Sequence, residues 1–147
     1  MNQDQSQLIV CAHCGAVNGI PKHKSAIMAK CGNCKQQLLP PEPREVNGEL
    51  LLKSINRNTF PLVVDFWAPW CGPCKMMAPQ FATAAANQQG SVVYLKLNTE
   101  TAPDIAAAYN IRSIPTMALF QGGREVNRTS GAMDARRIQQ WVDSSRR

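Results

Sequence analysis

The sequence predicts an α/β protein, in which a central mixed β-sheet is flanked by helices and preceded by a small module held together by cysteines. Apolar segments of strand length alternate with helical patterns downstream of residue 48, as in mixed sheets covered on both faces. Prolines at positions 40, 41 and 43 prevent a helix from continuing into the region where this alternation begins. The residues upstream hold four of the six cysteines but too little apolar material for a core of their own. We therefore expect two units, residues 1–40 and 41–147, joined by a stiff extended linker.

The helices and strands of the larger unit follow from hydrophobic periodicity. Strands are predicted at residues 62–67, 92–97 and 116–120, and a turn at 121–124 leads to a hairpin partner at 125–129. Helices are predicted at residues 49–55, 71–87, 101–109 and 135–144. Pro79 predicts a kink in the second helix, and Asp134 lies near the start of the last.

Composition limits the kinds of protein that this chain can be. Its 147 residues are 44% hydrophobic, and no stretch is long enough to cross a bilayer. Residues 1–7 are polar and lack the pattern of a signal peptide, so we expect a cytoplasmic protein without membrane contact. Cytoplasmic thiols are kept reduced, so six cysteines indicate metal binding and redox catalysis rather than structural disulfides. The net charge of +6 includes no long basic run, so nucleic acid is not an expected partner.

The most informative motif is Trp70-Cys71-Gly72-Pro73-Cys74-Lys75, which directly follows the apolar strand at residues 62–67. A C-x-x-C at a strand-to-helix junction puts one thiol at the first turn of a helix. Unpaired backbone N–H groups and the helix dipole favour a thiolate there. The second thiol lies one turn further on, close enough to close a disulfide. The motif therefore predicts a two-electron redox switch.

The other four cysteines form two C-x2-C pairs, Cys11 with Cys14 and Cys31 with Cys34. The 16 residues between the pairs match the spacing of zinc sites. Four thiolates make a closed tetrahedral site, so we expect one structural zinc ion that carries no electrons. A disulfide pair and an iron centre remain alternatives.

The neighbours of these cysteines suggest how the turns are built. Gly15, Gly32 and Asn33 lie at or near the turns, where a positive φ is often needed. His13 is a poor candidate for a replacement ligand, because four sulfurs already complete the coordination shell.

Residues 44–147 resemble the thioredoxin family. The resemblance is carried by residues 64–75, by Ile111-Arg112-Ser113-Ile114-Pro115-Thr116 and by Gly131. The cysteine pairs in front resemble the zinc-ribbon-like module of the zinc-bearing bacterial branch of that family. The resemblance implies a thioredoxin fold and a thiol–disulfide oxidoreductase.

Residue roles follow from the resemblance together with the chemistry of each group. Cys71 would attack a substrate disulfide, and Cys74 would resolve the mixed disulfide. Asp65 lies in a strand buried on both faces, where loss of hydration raises the pKa of a carboxyl group. The resemblance makes Asp65 the group that assists deprotonation of Cys74, with Lys96 as its partner. A purely structural acid and a solvated lysine remain the alternatives.

The resemblance also implies a substrate surface. It makes the bond before Pro115 cis and packs that segment against the cysteine loop, with a trans proline at an edge strand as the alternative. Ile114 could then offer backbone groups to an extended substrate segment. The expected rim around an exposed sulfur consists of Trp70, Gly72, Pro73, Ile114, Pro115, Gly131 and Ala132.

These inferences predict a monomeric protein-disulfide reductase that acts on oxidised protein disulfides. An NADPH-dependent thioredoxin reductase would return it to the reduced form. An oxidant or isomerase is a first alternative, although Gly72 and Pro73 between the cysteines argue against it. A second alternative is a redox-regulated, zinc-dependent binding or holdase module whose redox activity is secondary.

Overall fold

The computed structural model describes residues 6–147. The N-terminal residues 1–5, which supply most of the argument against a signal peptide, lie outside the described residues. The strands are β1 (Gln7–Val10), β2 (Val17–Ile20), β3 (Arg44–Glu45), β4 (Leu62–Trp67), β5 (Val93–Asn98), β6 (Thr116–Gln121) and β7 (Arg124–Ser130). The helices are α1 (Gly48–Arg57), α2 (Gly72–Asn87), α3 (Pro103–Ala108) and α4 (Ala135–Ser145).

The main sheet has five strands in the order β3-β5-β4-β6-β7. Strands β3, β5 and β4 run parallel, whereas β6 and β7 are antiparallel additions. The central strand β4 therefore pairs on both edges. Its side chains are also buried on both faces, which explains why its sequence is apolar almost throughout. This arrangement confirms the predicted mixed sheet.

Alternation along β4 divides the apolar core between the two faces of the sheet. Val64 and Phe66 pack in a cluster that includes residues of α1 and α3, whereas Val63 packs in a cluster that includes residues of α2 and α4. Helices therefore cover both faces, as predicted.

Local sequence sets where the helices begin. The side chain of Asn47 accepts a hydrogen bond from the Leu50 amide at 2.8 Å, and Asp134 accepts one from the Arg137 amide at 2.9 Å. These caps satisfy amide groups that have no partner within the helix. The proline in the interior of α2, Pro79, does not interrupt that helix.

Residues 6–40 form a β1–β2 hairpin and two cysteine turns that pack directly on the larger unit. Ile9 and Leu38 belong to the same buried cluster as Leu51 and Ile55 of α1. The predicted linker is short, because β3 already begins at Arg44. One of the two apolar clusters that flank the sheet is therefore shared by both predicted units.

Two hydrogen bonds, one of them to a side chain, reinforce this packing. The Thr59 amide donates to the Leu8 carbonyl at 2.9 Å, and the Val10 amide donates to Oδ1 of the buried Asn58 at 2.8 Å. Both bonds tie β1 to the segment that follows α1. Within residues 6–147, no helix is long and apolar enough to span a membrane.

Candidate redox and metal sites

The redox loop joins the end of β4 to the start of α2. Cys71 is the N-cap of α2, and Cys71 and Cys74 form a disulfide with their Cα atoms 5.2 Å apart. The Cys74 amide points at the Cys71 sulfur from 3.2 Å. In the reduced chain, the same amide and the helix dipole would favour a thiolate at Cys71. The predicted strand-to-helix position of the motif is confirmed.

The sulfurs are more covered than the sequence suggested. Cys71 is only 4% exposed, because it packs with Ala68, Trp67 and Ile114. The carbonyl oxygen of Ile114 lies 3.7 Å from its sulfur. The expectation of an exposed sulfur is therefore wrong for this disulfide form.

The predicted substrate surface surrounds this covered disulfide. The peptide bond between Ile114 and Pro115 is cis, as the resemblance implied. Trp70 is 66% exposed beside the disulfide. Gly131 lies beside this cis bond, because its amide donates to the Pro115 carbonyl at 2.9 Å. Gly72, Pro73 and Ala132 of the predicted rim are exposed, whereas Pro115 is buried, so its place on the exposed rim is wrong.

Asp65 is buried in the middle of β4, with 1% of its surface exposed. Neither of its carboxylate oxygens has a hydrogen-bond partner among residues 6–147. Burial raises the pKa of this carboxyl group to about 7, while the positive charge of Lys96 opposes that rise and the negative charge of Glu45 adds to it. A carboxyl group of this kind exchanges a proton near neutral pH.

The strand register places three charged residues in one row across the sheet. Glu45 of β3 is the register partner of Lys96 of β5, which is in turn the partner of Asp65 of β4. Among the described residues, no ion pair closer than 4.0 Å joins Lys96 to either acid, and its ammonium nitrogen lies 4.8 Å from the centroid of the Trp67 ring. Lys96 therefore acts on Asp65 through its charge rather than through a direct ion pair, and its ammonium group lies against the aromatic ring.

Sequence reasoning missed Glu45. Its carboxylate accepts hydrogen bonds from the Trp67 indole at 3.1 Å and from the Asn98 amide at 3.0 Å. Burial raises the pKa of Glu45, whereas the Trp67 bond and the charge of Lys96 act against that rise. Nothing in the local sequence singles out this acid, because its contacts depend on pairing between β3 and β5.

The four remaining cysteines converge on one point. All the sulfurs of Cys11, Cys14, Cys31 and Cys34 lie within 4.8 Å of one another, and two pairs are 3.6 Å apart. A tetrahedron with Zn–S bonds of about 2.3 Å needs sulfurs about 3.8 Å apart. The donor set therefore fits a zinc ion, and the described cluster contains no histidine.

The two cysteine turns share one backbone pattern. The Gly15 amide bonds to the Cys11 carbonyl at 2.8 Å, and the Lys35 amide bonds to the Cys31 carbonyl at 2.9 Å. Gly15 and Lys35 both have positive φ, at 84° and 69°. The left-handed position in the second turn thus belongs to Lys35, and its assignment to Gly32 or Asn33 is wrong.

Those two positions contribute in other ways. Asn33 donates from its backbone amide to the Cys31 sulfur at 3.4 Å and from its side chain to the Cys14 sulfur at 3.5 Å. Asn18 also donates to the Cys31 sulfur, at 3.4 Å. Such donors favour the thiolate, which is the form that binds a metal. The Gly32 amide, in turn, holds the Asn18 side chain at 2.9 Å.

Comparison with known proteins assigns a family to each of the two units. The thioredoxin family profile matches residues 42–144, and the profile described as "Thioredoxin 2, N-terminal" matches residues 10–36. "Thioredoxin C-3" of Corynebacterium nephridii is 48% identical over 136 residues, which are 92% of this chain and 93% of that protein. "Thioredoxin 1" of Nostoc is 43% identical over 99 residues, which are 67% of this chain and 92% of that protein.

Solved structures place the larger unit in the same fold. A mutant thioredoxin from Halobacterium salinarum superposes with a TM-score of 0.65 at 31% identity, over 73% of this chain and 93% of that one. Chloroplastic thioredoxin z gives a TM-score of 0.65 at 29% identity, over 70% of this chain and 93% of that one.

The fold and the dithiol loop define a thiol–disulfide oxidoreductase with an N-terminal four-cysteine module. The chain belongs to the thioredoxin family, and its N-terminal residues match the segment that characterises Thioredoxin 2.

Proposed function

We propose that this protein reduces disulfides in oxidised proteins and that the Cys71–Cys74 pair supplies the two electrons. The observation that supports this most is the disulfide at the N-terminus of α2, packed beneath the cis bond before Pro115. One turn of helix holds the two sulfurs in reach of each other. The disulfide can therefore open to a dithiol and close again within one loop.

The first step is attack by the Cys71 thiolate on one sulfur of the substrate disulfide. A bond forms between the attacking and the attacked sulfur, the substrate S–S bond breaks, and the second substrate sulfur leaves as a thiolate that takes up a proton. Cys74 then loses its proton and attacks the Cys71 sulfur. This closes the Cys71–Cys74 disulfide and releases the first substrate sulfur as a thiol, so that two electrons have moved to the substrate.

Asp65 is the proposed acceptor of the Cys74 proton. Side chains alternate along β4, and Val63 and Trp67 on either side of Asp65 pack with α2 residues and with the cysteine loop respectively. Asp65 therefore lies on the side of the sheet that α2 covers. A buried carboxyl group whose pKa is about 7 can take a proton from a thiol and return it to solvent near neutral pH.

Substrate would bind along the exposed rim. An extended segment of an oxidised protein can pair with the backbone at Ile114, while Trp70 offers a large apolar contact. Gly72, Pro73 and Gly131 leave space around the disulfide for a range of partners. Regeneration of the dithiol needs two electrons, which an NADPH-dependent thioredoxin reductase would supply. A cytoplasmic location and a monomeric state remain predictions from the sequence.

The N-terminal module would hold one zinc ion through Cys11, Cys14, Cys31 and Cys34. With four sulfur ligands, the ion has no open position for substrate and stabilises the fold. The division at residue 40 remains a proposal about chain organisation, with the redox chemistry assigned to residues 41–147.

The function is tested by disulfide reduction with two single variants. Cys71→Ser should abolish turnover of a protein disulfide, because no thiolate is left at the N-terminus of α2. Cys74→Ser should also stop turnover but accumulate a covalent complex through Cys71, since resolution of the mixed disulfide is lost. Retained turnover in Cys71→Ser, or a covalent complex that forms through Cys74 instead, would refute the assignment.

A further inference from the structure

The surroundings of Trp67 connect a residue outside the dithiol loop to the redox site. Trp67 follows Asp65 by two residues and therefore lies on the same face of β4. One edge of its indole donates to Glu45, its ring lies below the ammonium group of Lys96, and it packs against the Cys71–Cys74 cluster. Trp67 is thus in contact with the disulfide on one side and with the charged row on the other.

Glu45 holds this arrangement from the edge of the sheet. Its two carboxylate oxygens lie 3.1 and 3.3 Å from the Trp67 indole nitrogen, and one of them also accepts the Asn98 amide at 3.0 Å. Asn98 is the register partner of Trp67 on β5. The carboxylate therefore bridges the ends of two neighbouring strands.

The same carboxylate shares Lys96 with Asp65. Lys96 lies between the two acids in the register, with one acid on each neighbouring strand. The charged groups that act on Asp65 are Lys96 of β5 and Glu45 of β3, whereas its register partner on β6 is the apolar Met117. Any change at Glu45 alters how much of the positive charge of Lys96 acts on Asp65.

We propose that Glu45 is a positioning residue of the redox site, because its carboxylate anchors Trp67 against the disulfide and competes with Asp65 for the charge of Lys96. The inference rests on the proposed role of Asp65 as the proton acceptor for Cys74. Glu45 itself touches neither substrate nor the reacting sulfurs. Its negative charge favours the protonated form of Asp65, and its hydrogen bonds fix the ring beneath Lys96.

The charge competition is tested by following the carboxyl carbon of Asp65 by NMR through a pH titration of the oxidised, full-length chain. The signal is assigned by its loss in Asp65→Asn. Glu45→Gln should lower the midpoint by about half a unit, since the nearby negative charge is gone. Lys96→Met should raise it. The matched control is Glu42→Gln, an acid three residues away, and its midpoint should stay at the wild-type value.

Combining the two variants shows whether the acids share the lysine. In the Lys96→Met background, Glu45→Gln should produce a smaller shift than in wild type, because only direct repulsion between the acids remains. An unchanged Asp65 midpoint in Glu45→Gln, or equal shifts in both backgrounds, would overturn the competition.

The anchoring of Trp67 has its own readout. In a chain with Trp70→Phe and Trp141→Phe, all tryptophan emission comes from Trp67. Glu45→Ala should change that emission and its response to reduction of the disulfide, whereas Glu45→Gln keeps an acceptor oxygen and should preserve it. Identical spectra for Glu45→Ala and its parent would overturn the anchoring.

These measurements separate the inference from the proposed function. The titration and the emission need no substrate and no turnover, so they report on Glu45 even if the chain fails to reduce protein disulfides. Conversely, suppose that wild type turns over normally while the Asp65 midpoint is unchanged in Glu45→Gln and the Trp67 emission is unchanged in Glu45→Ala. That result would refute the inference and leave the proposed function standing.

Discussion

Asp65 and Lys96 are register partners on adjacent parallel strands, yet the lysine ammonium lies against the Trp67 ring and the Asp65 carboxylate has no hydrogen-bond partner among the described residues. A buried, unpartnered carboxylate is destabilising when ionised. Burial therefore raises the pKa of Asp65 to about 7, although the charge of Lys96 opposes that rise, and much of the acid is protonated near neutral pH.

The first prediction concerns the pH dependence of stability. The pKa of Asp65 is raised from 3.8 to about 7, so the folded chain keeps this proton when the unfolded chain has lost it. The free energy of unfolding should fall as the pH rises from about 4 to about 7 and then level off. Relative to Asp65→Asn, wild type should lose about 2–4 kcal/mol over that range. Urea unfolding at several pH values measures this difference.

Asp104→Asn is the control for this comparison, because Asp104 is exposed in the first turn of α3. Its stability profile should follow that of wild type. A constant difference between wild type and Asp65→Asn across the pH range would contradict the assigned pKa.

The second prediction tests the continuous core. Ile9 of β1 is 1% exposed and packs in the cluster that contains Leu51 and Ile55. Ile9→Ala should lower the free energy of unfolding of the whole chain by about 2–4 kcal/mol. Met28→Ala, at a side chain that is 75% exposed, should change it by less than about 0.5 kcal/mol. Equal effects of the two variants would show that β1 does not share the core.

The third prediction concerns the turns that hold the metal ligands. Gly15 has a φ of 84°, so Gly15→Ala should cost about 1 kcal/mol from backbone strain even though its Cβ would have space. Gly32 has an ordinary φ, and Gly32→Ala should be close to neutral. In competition with a zinc chelator, Gly15→Ala should give up zinc more readily than Gly32→Ala. In urea, Gly15→Ala should have the lower free energy of unfolding of the two. The reverse order would contradict the turn geometry.

The fourth prediction concerns metal removal. Because the four-cysteine module shares its core with α1, chelation of zinc should lower the midpoint of a single unfolding transition for the entire chain. The experiment uses a Cys71→Ser/Cys74→Ser chain, which leaves the four module cysteines as its only thiols. Two separate transitions, with the later one unaffected by chelator, would show instead that the units fold independently.

Much of the larger unit could be predicted because its signals are local. The apolar run that forms β4 has the boundaries expected from sequence, and the start of α4 follows from Asp134. The dithiol loop was found because two cysteines at that spacing after a strand are rare and chemically specific.

The remaining features depend on long-range pairing. Strand β3 has two residues, too few to show periodicity, and only its register with β5 reveals Glu45 beside Trp67. The placement of Lys96 over an aromatic ring also depends on side-chain packing across strands. The positive φ of Lys35 was missed because a lysine gives no turn signal, whereas its counterpart in the first turn is a glycine.

The packing of the cysteine module also bears on how such chains can be rearranged by recombination. Gly90 is close enough to Ile27 that a Cβ there would lie 2.9 Å from its side chain, and the buried Asn58 accepts a hydrogen bond from Val10. A thioredoxin domain transplanted without its N-terminal segment would expose Leu51 and Ile55 on its surface and would leave Oδ1 of Asn58 without its partner. Exchange of the segment between relatives would therefore require coordinated substitutions on the recipient surface.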